Sequence, residues 1–415
     1  MNTEKPNIIL FIESNTTGTG KKAFDVVKEL GYEGLLLTND FSQYNGFEGI
    51  EYLTCDTNNI KELSSTIEYI GVESIVGIMS TSEYYIEISA ELANQYGYND
   101  NNPNFIRNYR DKALLRTKLS KKKQIMQPKY RIIEKYGDLK NYNDEINFPC
   151  IVKPTEDSGS NDVKLCFSDK EVIDHVNVIL QKDTNMRNQK TYPKVLIEEY
   201  IKGREFSVEF FVNKEEFNLI GITEKTTMGM PYFVESRHIF PACISQDTKK
   251  LILQTVSTAI EELGYLRGAL HAEIKVYKGN CYIIEINPRL AGGMIPELVK
   301  LSTGIDILEQ HILSILNKWE IKKINIDGFA GIQFITSPSD GILEQISGIE
   351  EIKNLPEFHL VSINAKLGTK IRKARNSSDR LGYIILKSNS YNELNDKLNY
   401  IIEKINIKQN EYLTT

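Results

Sequence analysis

Two glutamates stand where a β-hairpin would place their side chains next to each other. Residues 270–287 alternate between apolar and polar positions on both sides of a three-residue turn, Lys278-Gly279-Asn280. A turn centred on Gly279 puts Glu273 directly opposite Glu285. Side chains opposed in this way have Cβ atoms roughly 5 Å apart, a distance at which like charges repel each other. A cation is therefore expected between the two carboxylates.

The same register places Asn287 opposite His271. Three apolar residues of the return strand are expected to face the interior: Tyr282, Ile284 and Ile286. Two carboxylates and a carboxamide form an all-oxygen set that suits Mg²⁺ or Mn²⁺ better than zinc. Arg289, two residues beyond Asn287, adds a fixed positive charge. The pattern predicts a metal site at Glu273, Glu285 and Asn287, and the alternative is a solvated sheet face that carries two glutamates.

The composition is that of a globular protein with several domains. The chain has 415 residues, of which 41% are hydrophobic and 26% are charged. Its net charge of −6 offers no broad basic field for nucleic acid or anionic lipid. The five cysteines are scattered without a C-x-x-C pair, which argues against a disulfide frame or a zinc site. The apolar runs are too short for a signal peptide or a membrane span, so a cytoplasmic protein is expected.

An N-terminal parallel α/β domain is predicted for residues 1–105. Three predicted strands alternate with three predicted helices: strands 7–12, 34–38 and 74–79, and helices 21–30, 60–70 and 82–96. The segment Gly18-Thr19-Gly20-Lys21 follows the first strand but fails as a phosphate loop, because Asn15 and Lys22 occupy positions that need Gly and Ser or Thr. A plain strand-to-helix turn is the better interpretation. The polar segment 99–103 marks the domain boundary.

A second unit is predicted for residues 106–318. We expect a basic helix at 110–121 and a strand at 148–152. The segments 195–201 and 205–212 are expected to join the hairpin in one antiparallel sheet. Residues 181–193 are polar and lack periodicity, which predicts an exposed insertion loop.

Further residues of this unit have the properties of a phosphate and nucleotide site. Lys153 ends one predicted strand, and Lys112 begins a predicted helix in the sequence Arg-Asp-Lys; either lysine alone would be uninformative, because most lysines are solvated. Residues 155–163 are small, polar and contain glycine, and the backbone N–H groups of such a loop can wrap phosphate oxygens. Glu198 and Glu205 lie at the two ends of a strand–turn–strand segment, where an ordinary acidic strand end is the alternative.

Taken in chain order, these segments resemble the parts of the ATP-grasp ligases. By that resemblance, two lysines reach the phosphates of ATP: Lys112 and Lys153. Three residues represent the glycine-containing lid loop: Ser158, Gly159 and Ser160. Adenine contacts the end of one strand and the residues after it: Glu198 and the backbone of Glu199, Tyr200 and Ile201. The ribose hydroxyls donate to Glu205. Two Mg²⁺ ions, or Mn²⁺ in their place, bind to the hairpin ligands: Glu273, Glu285 and Asn287.

The resemblance covers roughly residues 1–320 and implies a fold of mixed α/β and α+β class. The ATP-grasp fold has an N-terminal parallel α/β domain, a small α+β lid domain and a central antiparallel-sheet domain with a C-terminal cap. It places the ATP-grasp domain at 106–318, with the lid at about 130–200 and the cap at 319–415.

Three segments resemble one branch of these enzymes, the L-amino acid ligases that make dipeptides (the bacilysin-synthetase type). The segments are Ser80–Tyr84, Phe233–Ala242 and the N-P-R-L-A-G-G sequence from Asn287 to Gly293. More weakly, residues 331–402 resemble a C-terminal cap shared with biotin carboxylases. The branch implies a set of substrate-side residues: Glu83, His238, Arg289, Gly292 and Gly293. It also implies that Arg289 stabilises the oxyanion formed in the reaction. His271 either shares this catalytic role or is a hydrogen-bonded structural histidine.

The implied reaction joins the carboxylate of one amino acid to the amine of another. ATP is cleaved to ADP, an acyl phosphate forms, and the amine displaces phosphate. Three alternatives stay open: ligation of another carboxylate, a biotin-carboxylase-like reaction on bicarbonate, and a nucleotide-binding protein without catalysis. The expected partners are small molecules, with neither nucleic acid nor membrane, and a homodimer is left open. The sequence does not specify the two substrates.

Overall fold

The N-terminal sheet is parallel, as the sequence predicts. The computed structural model describes residues 7–16, 18–98, 101–140, 142–191, 193–213, 216–264, 266–320 and 323–410. The first elements are β1 (Ile8–Ile12), α1 (Thr19–Glu29), β2 (Glu33–Thr38), β3 (Glu51–Thr54), α2 (Ile60–Ile70), β4 (Ile75–Met79) and α3 (Ile86–Gln95). The strand order β3-β2-β1-β4 brings the carboxyl ends of β1 and β4 together. A 3-10 turn at Glu83–Tyr85 precedes α3, so this helix begins later than predicted.

A single basic helix at 110–121 was predicted, and this prediction is wrong. The structure has two helices, α4 (Pro103–Arg110) and α5 (Lys112–Leu119). Asp111 separates them because its backbone is extended and its side chain accepts hydrogen bonds from the backbone N–H groups of Ala113 and Leu114. This cap fixes Lys112 as the first residue of α5. Asn99 and Asp100, where the domain boundary was predicted to begin, lie outside the described residues.

A small antiparallel sheet with one helix follows. It consists of β5 (Tyr130–Ile133), β6 (Cys150–Pro154), β7 (Lys164–Cys166), α6 (Asp169–Leu180) and β8 (Val195–Glu199), with strand order β5-β8-β6-β7. The prediction that 195–201 belongs to the same sheet as the hairpin is therefore wrong. The apolar residues of β8, such as Val195 and Ile197, pack into the separate core of this small domain instead.

A large antiparallel sheet carries the hairpin at its edge. Its first elements are β9 (Arg204–Asn213), β10 (Glu216–Met228), β11 (Val234–Phe240), α7 (Gln246–Leu263), β12 (Gly268–Tyr277), β13 (Asn280–Asn287), α8 (Ile295–Thr303) and α9 (Ile307–Ile315). The remaining elements are β14 (Phe329–Thr336), β15 (Gly341–Ser347), α10 (Ile349–Lys353), β16 (Phe358–Ile363), β17 (Lys370–Ile371), β18 (Arg380–Ser388), α11 (Tyr391–Lys404) and β19 (Asn406–Asn410). The order β13-β12-β9-β10-β11-β14-β18-β16 shows that C-terminal strands continue this sheet, while β17-β15-β19 form a separate one.

The hairpin has the predicted register but not the predicted turn. Tyr277 pairs with Asn280, so the turn contains only two residues, both with positive φ. A β-bulge then shifts the register by one residue at Ile284, and Glu273 consequently lies opposite Glu285 as predicted. The bulge also changes which side chains are buried. The buried apolar residues of β13 are Cys281, Ile283 and Ile286, whereas the predicted Tyr282 and Ile284 are only partly buried.

The insertion between α6 and β8 rests on the N-terminal domain, although many of its side chains are exposed as predicted. Arg187 donates hydrogen bonds to Gln43 Oε1 at 2.6 Å and to the carbonyl of Ser14 at 3.1 Å. Gln189 donates to the carbonyl of Tyr84 at 3.0 Å. The small domain therefore contacts the N-terminal sheet at the carboxyl ends of β1 and β4. None of the helices within the described ranges is long and apolar enough to cross a membrane.

Candidate active site

The two lysines predicted to bind phosphates lie in the cleft between the small domain and the large sheet. Both are almost fully buried. Lys112 donates a hydrogen bond to the carbonyl of Asp157 at 2.8 Å, and its Nζ lies 3.2 Å from Glu285 Oε2. Lys153 Nζ lies 2.6 Å from Glu198 Oε2. Each ammonium is thus paired with a carboxylate.

The pKa values of the two lysines are shifted in opposite directions. Burial alone would lower the pKa of Lys112, but Glu285 and Glu83 outweigh it and raise the pKa. Burial lowers the pKa of Lys153, because the attraction of Glu198 is opposed by the neighbouring cations Arg116 and Lys112. Lys153 therefore lies in the more positive surroundings of the two.

Glu198 is surrounded by cations. Its Oε1 accepts a hydrogen bond from Arg116 Nε at 2.6 Å, and its Oε2 pairs with Lys153 at 2.6 Å. Burial would raise the pKa of this carboxyl, but the two cations outweigh it and lower the pKa. Both carboxylate oxygens are engaged, so the adenine contact predicted for the Glu198 side chain stays a prediction, with little room for a further donor.

An aromatic pair follows the end of β8. The rings of Tyr200 and Phe233 stack at a centroid distance of 5.6 Å, and Lys275 Nζ lies 5.3 Å and 5.5 Å from the two centroids. Lys275 also lies 3.4 Å from Glu205 Oε2, so the predicted ribose residue borders this pair. The backbone N–H of Glu199 donates to the carbonyl of Lys129, and the side chain of Ile201 is buried.

The predicted lid loop, residues 155–163, contacts three separate parts of the chain. Tyr84 of the N-terminal domain donates to Asp157 Oδ1 at 2.6 Å. Ser160 donates to the carbonyl of Phe233 at 3.4 Å, and Gly159 accepts from the backbone N–H of Ser377 at 3.4 Å. Ser158 N–H donates to Asp157 Oδ1. The loop thus joins the small domain to the N-terminal domain, the large sheet and the C-terminal segment.

The predicted metal ligands lie side by side at the end of the hairpin. Asn287 Nδ2 donates to Glu285 Oε1 at 2.8 Å, and Lys225 Nζ lies 2.8 Å from Glu273 Oε1. Across the described ranges, no cluster of three or more His, Cys, Asp or Glu side chains has the proximity of a metal site. The predicted set contains only two carboxylates, and Mg²⁺ is often bound by one or two carboxylates together with substrate phosphates. The donor set therefore fits Mg²⁺ whose remaining ligands come from phosphate and water.

His271 lies between two carboxylates of the same sheet. Its Nδ1 is 3.0 Å from Glu209 Oε1, and its Nε2 is 3.2 Å from Glu273 Oε1. Burial alone would lower the pKa of His271, but Glu209 and Glu273 raise it to about 9. At neutral pH the imidazolium donates to both carboxylates, so it holds the predicted ligand Glu273 in place.

The structure brings together the substrate-side residues Glu83 and Arg289. Arg289 donates to Glu83 Oε2 through Nε at 2.8 Å and through Nη2. Gly292 and Gly293 follow in the same loop, and Gly293 has a φ of +59°. A Cβ atom at Gly293 would lie 2.6 Å from His238 Nε2, so the loop packs directly against the predicted substrate residue His238.

Three charged residues of this site were not predicted. Lys225 Nζ lies 2.6 Å from Glu235 Oε1 and, as noted, contacts Glu273, with Glu205 at 3.6 Å. Arg380 at the start of β18 donates to Glu235 Oε2 at 2.8 Å and lies above the ring of Phe334. The available sequence signal was weak, since a single charged residue on a strand is usually solvated and only the pairing of distant strands brings these together.

His238 is buried beside this group and has no hydrogen-bond partner within the described residues. Its Nε2 lies 3.7 Å from Glu235 Oε2, and its ring meets Phe334 edge to face. Burial lowers the pKa of His238 to about 3, and the cations Lys225 and Arg380 act in the same direction. His238 is therefore neutral at ordinary pH.

Comparisons with known proteins identify two domains of the chain and a similar fold. Residues 146–297 match a model of the ATP-grasp domain, and residues 333–409 match the L-amino acid ligase C-terminal domain 2. The L-amino acid ligase from Bacillus licheniformis has a similar fold, with a TM-score of 0.83 and 22% identity over 99% of this chain and 100% of that one.

Two relatives show how far the sequence similarity extends. The uncharacterised protein y4rH of Sinorhizobium fredii is 26% identical over 97% of this chain and 83% of its own length. The alanine–anticapsin ligase of Bacillus subtilis is 27% identical over 62% of this chain, which spans 56% of that relative. The chain therefore carries an ATP-grasp domain over residues 146–297 and the C-terminal domain 2 of the L-amino acid ligases over residues 333–409.

Proposed function

We propose that this protein joins two L-amino acids into a dipeptide, with cleavage of ATP to ADP and phosphate. The observation that carries the proposal is the arrangement at the end of β13. Within five consecutive residues, Glu285 pairs with the predicted phosphate lysine Lys112 and accepts a hydrogen bond from Asn287. Arg289 of the same segment donates to Glu83. A phosphate-handling site and a site with a carboxylate and a guanidinium, the two charges that an amino acid requires, thus share one strand end.

Mg²⁺ would be held by Glu273, Glu285 and Asn287. When bound there, Mg²⁺ offsets the negative charge that develops on the transferring phosphoryl group. Lys112 and Lys153 supply fixed positive charge for the phosphates of ATP. His271 donates to Glu273 and so keeps that carboxylate oriented and ionised, which gives His271 a supporting role.

The reaction proceeds in two steps. The carboxylate oxygen of the first amino acid attacks the γ-phosphorus of ATP, the bond to the β-phosphate oxygen breaks, and ADP leaves. The amine of the second amino acid then attacks the acyl carbon. The C–N bond forms, phosphate leaves with the acyl C–O bond electrons, and the amine releases a proton to water. Arg289 stabilises the oxyanion of the tetrahedral intermediate.

Glu83 is the proposed acceptor for a substrate ammonium group. Arg289 and Lys112 lower the pKa of this carboxyl despite its burial, so it stays ionised and able to pair with a cation. A bound amino acid would share Glu83 with Arg289 and present its own carboxylate to the guanidinium. Gly292, where an added Cβ atom would meet nothing within 4 Å, leaves space beside this pair.

The lid is expected to open for ATP. Residues 155–163 are held by hydrogen bonds to Tyr84, Phe233 and Ser377. Lys112 also binds the carbonyl of Asp157, and His175 and Lys182 bind Asp162. Hydrogen exchange in this segment should slow when ADP and Mg²⁺ are added. The exchange of α7, which lies outside the cleft, provides an internal control. Unchanged exchange of the loop in protein that demonstrably binds ADP would contradict the lid role.

The test of the function is an assay with ATP, Mg²⁺ and pairs of L-amino acids. Phosphate release and the product mass are measured for each pair and for each amino acid alone. The expected result is phosphate release that requires both a carboxylate and an amine, with a product mass equal to their sum less water. A non-amino-acid carboxylate as the required donor would correct the substrate class. AMP and pyrophosphate as products, or a requirement for bicarbonate and biotin, would refute the proposal.

A further inference from the structure

Arg116 lies one helical turn beyond Lys112 on α5, and its side chain is completely buried. Complete burial of an arginine is rare and requires partners. Its Nε donates to Glu198 Oε1 at 2.6 Å, and its Nη2 donates to the carbonyl of Ile284 at 2.7 Å. One guanidinium therefore links the small domain to the edge strand of the large sheet.

The first link determines where Lys153 lies. Glu198 accepts from Arg116 with one oxygen and pairs with Lys153 through the other. Without Arg116, the buried carboxylate of Glu198 would have a single cation and would be free to rotate about its side-chain bonds. The position of Lys153 in the phosphate cleft thus depends on Arg116, although the two side chains are both cations.

The second link reaches the β-bulge of β13. Ile284 is the residue that the bulge inserts, and the shift at this point puts Glu285 opposite Glu273. Without the bulge, the register set by the two-residue turn would place Ile284 opposite Glu273, and the two glutamates would no longer face each other. The donor that Arg116 gives to the Ile284 carbonyl holds the bulge against α5.

The third nitrogen of the Arg116 guanidinium argues against a purely stabilising role for this side chain. Arg116 Nη1 is buried and has no hydrogen-bond partner in the part of the chain that the structure describes. A buried donor without a partner costs stability. Residues that break such a local rule are expected where function requires a fixed geometry.

We propose that Arg116 is a positioning residue that sets the distance between Lys153 and the metal-binding end of β13. The planar guanidinium donates in two fixed directions, and lysine cannot reproduce that fork. The inference rests on the proposed function, because it assumes ATP at Lys153 and Mg²⁺ at Glu285. It adds a residue that contacts neither ligand and acts through Glu198 and the backbone of Ile284.

The test compares Arg116→Lys and Arg116→Met with a matched control, Arg237→Met. Arg237 is also a buried arginine, but its guanidinium contacts Gln333 of β14 and Asn395 and Asn399 of α11. The measurements are the KM for ATP, the Mg²⁺ concentration for half-maximal activity, the KM for each amino acid, and the rise in Tm that ADP with Mg²⁺ produces.

For Arg116→Lys we expect a folded protein in which the KM for ATP and the required Mg²⁺ concentration rise roughly 10- to 100-fold, the range for residues that orient metal ligands. The KM for the amino acids should change far less, and the ADP-dependent rise in Tm should shrink. Arg237→Met should lower the Tm of the free protein while leaving the ATP and Mg²⁺ dependence unchanged.

The outcomes separate the two proposals. If wild-type protein binds ADP with Mg²⁺ and Arg116→Lys keeps wild-type ATP and Mg²⁺ dependence, the role of Arg116 is refuted while the proposed function stands. An equal change of all KM values, or the same change in Arg237→Met, would likewise refute it. If Arg116→Met does not fold, Arg116→Lys decides. Failure of the wild-type protein to bind ADP with Mg²⁺ would overturn the proposed function and this inference with it.

Discussion

The two sides of the large-sheet cleft each hold a buried histidine. One of these histidines is protonated at neutral pH and the other is neutral. On the hairpin side, formed by β12 and β13, His271 lies between two carboxylates and its pKa is raised to about 9. On the β11 side, His238 lies against Phe334 with two cations nearby, and burial lowers its pKa to about 3. The same residue type is thus a fixed cation on one side and a neutral ring on the other.

Lys225 explains why the two sides can lie so close together. Its ammonium pairs with Glu235 of the β11 side and Glu273 of the hairpin side. Burial alone would lower the pKa of Lys225, but these carboxylates raise it well above its usual value. The two histidines therefore differ because His271 has two carboxylate partners, whereas His238 is buried against an aromatic ring beside cations.

The largest effect is expected from removing a charge on the hairpin side with Glu285→Gln. The predicted Mg²⁺ site loses one of its two carboxylates, so we expect turnover to fall by roughly 10³-fold or more while the fold stays intact. Phosphate release and the far-UV spectrum provide the measurement. Glu216→Gln, an exposed change on the same sheet, is the control. Wild-type turnover of Glu285→Gln with Mg²⁺ as the only metal would contradict the metal assignment.

A smaller but still large effect is expected when the bridge between the sides is removed by Lys225→Met. Three buried or half-buried carboxylates then lose their shared cation, and breaking a buried ion pair on one side typically costs about 3–5 kcal/mol. The free energy of unfolding in urea measures the loss, with the exposed Lys250→Met as control. A change below that of the control would show that the two sides do not depend on this lysine.

A moderate effect is expected on the β11 side from Gly293→Ala. The added Cβ meets His238, and the positive φ disfavours alanine, so we expect a loss of about 1–3 kcal/mol. Gly292→Ala is the matched comparison, because a Cβ there meets nothing within 4 Å. Urea unfolding of both variants gives the difference. Equal stabilities would mean that the loop does not pack on His238 in solution.

The change that is smallest per pH unit is the pH dependence of stability, measured by urea unfolding with EDTA present. His271 binds its proton more tightly when folded, so its contribution is complete below about pH 6.5 and is lost as pH rises through about 9. His238 binds its proton less tightly when folded, so its contribution is present above about pH 6.5 and is lost as pH falls towards 3.

Each histidine changes the slope by at most about 1.4 kcal/mol per pH unit. His271→Gln should therefore flatten the decline above pH 6.5, and His238→Gln should flatten the decline below it. The slopes are compared rather than the absolute stabilities, since either substitution changes packing. The interpretation fails if both variants flatten the same limb.

The positions of the two lysines predicted to bind phosphates could be predicted because local structure fixes them. Lys112 follows a capping aspartate and Lys153 lies on a short strand, so the chain itself presents both lysines. The prediction of the metal register was correct although the turn was predicted one residue too long. The bulge at Ile284 compensated for that error, and no periodicity in the sequence reveals a bulge.

The rest of the site depends on pairing between distant strands. Lys225 meets its three carboxylates only because β9, β10, β11 and β12 pair in one register, and Arg380 arrives from a segment more than 140 residues after Glu235. The error over β8 has the same origin. An apolar strand with an acidic end fits either sheet, and the packing of the small domain decides between them.

The continuous sheet also limits how this protein can be recombined with its relatives. β14 pairs directly with β11. In a chimera joined just before Phe329, these two hydrogen-bonded strands would therefore come from different proteins. A protein ending there would expose β11 as an open edge, which promotes aggregation. Glu235 would lose Arg380 at the same junction. Exchanged parts should therefore include β11 together with the C-terminal strands, since these strands form one continuous sheet.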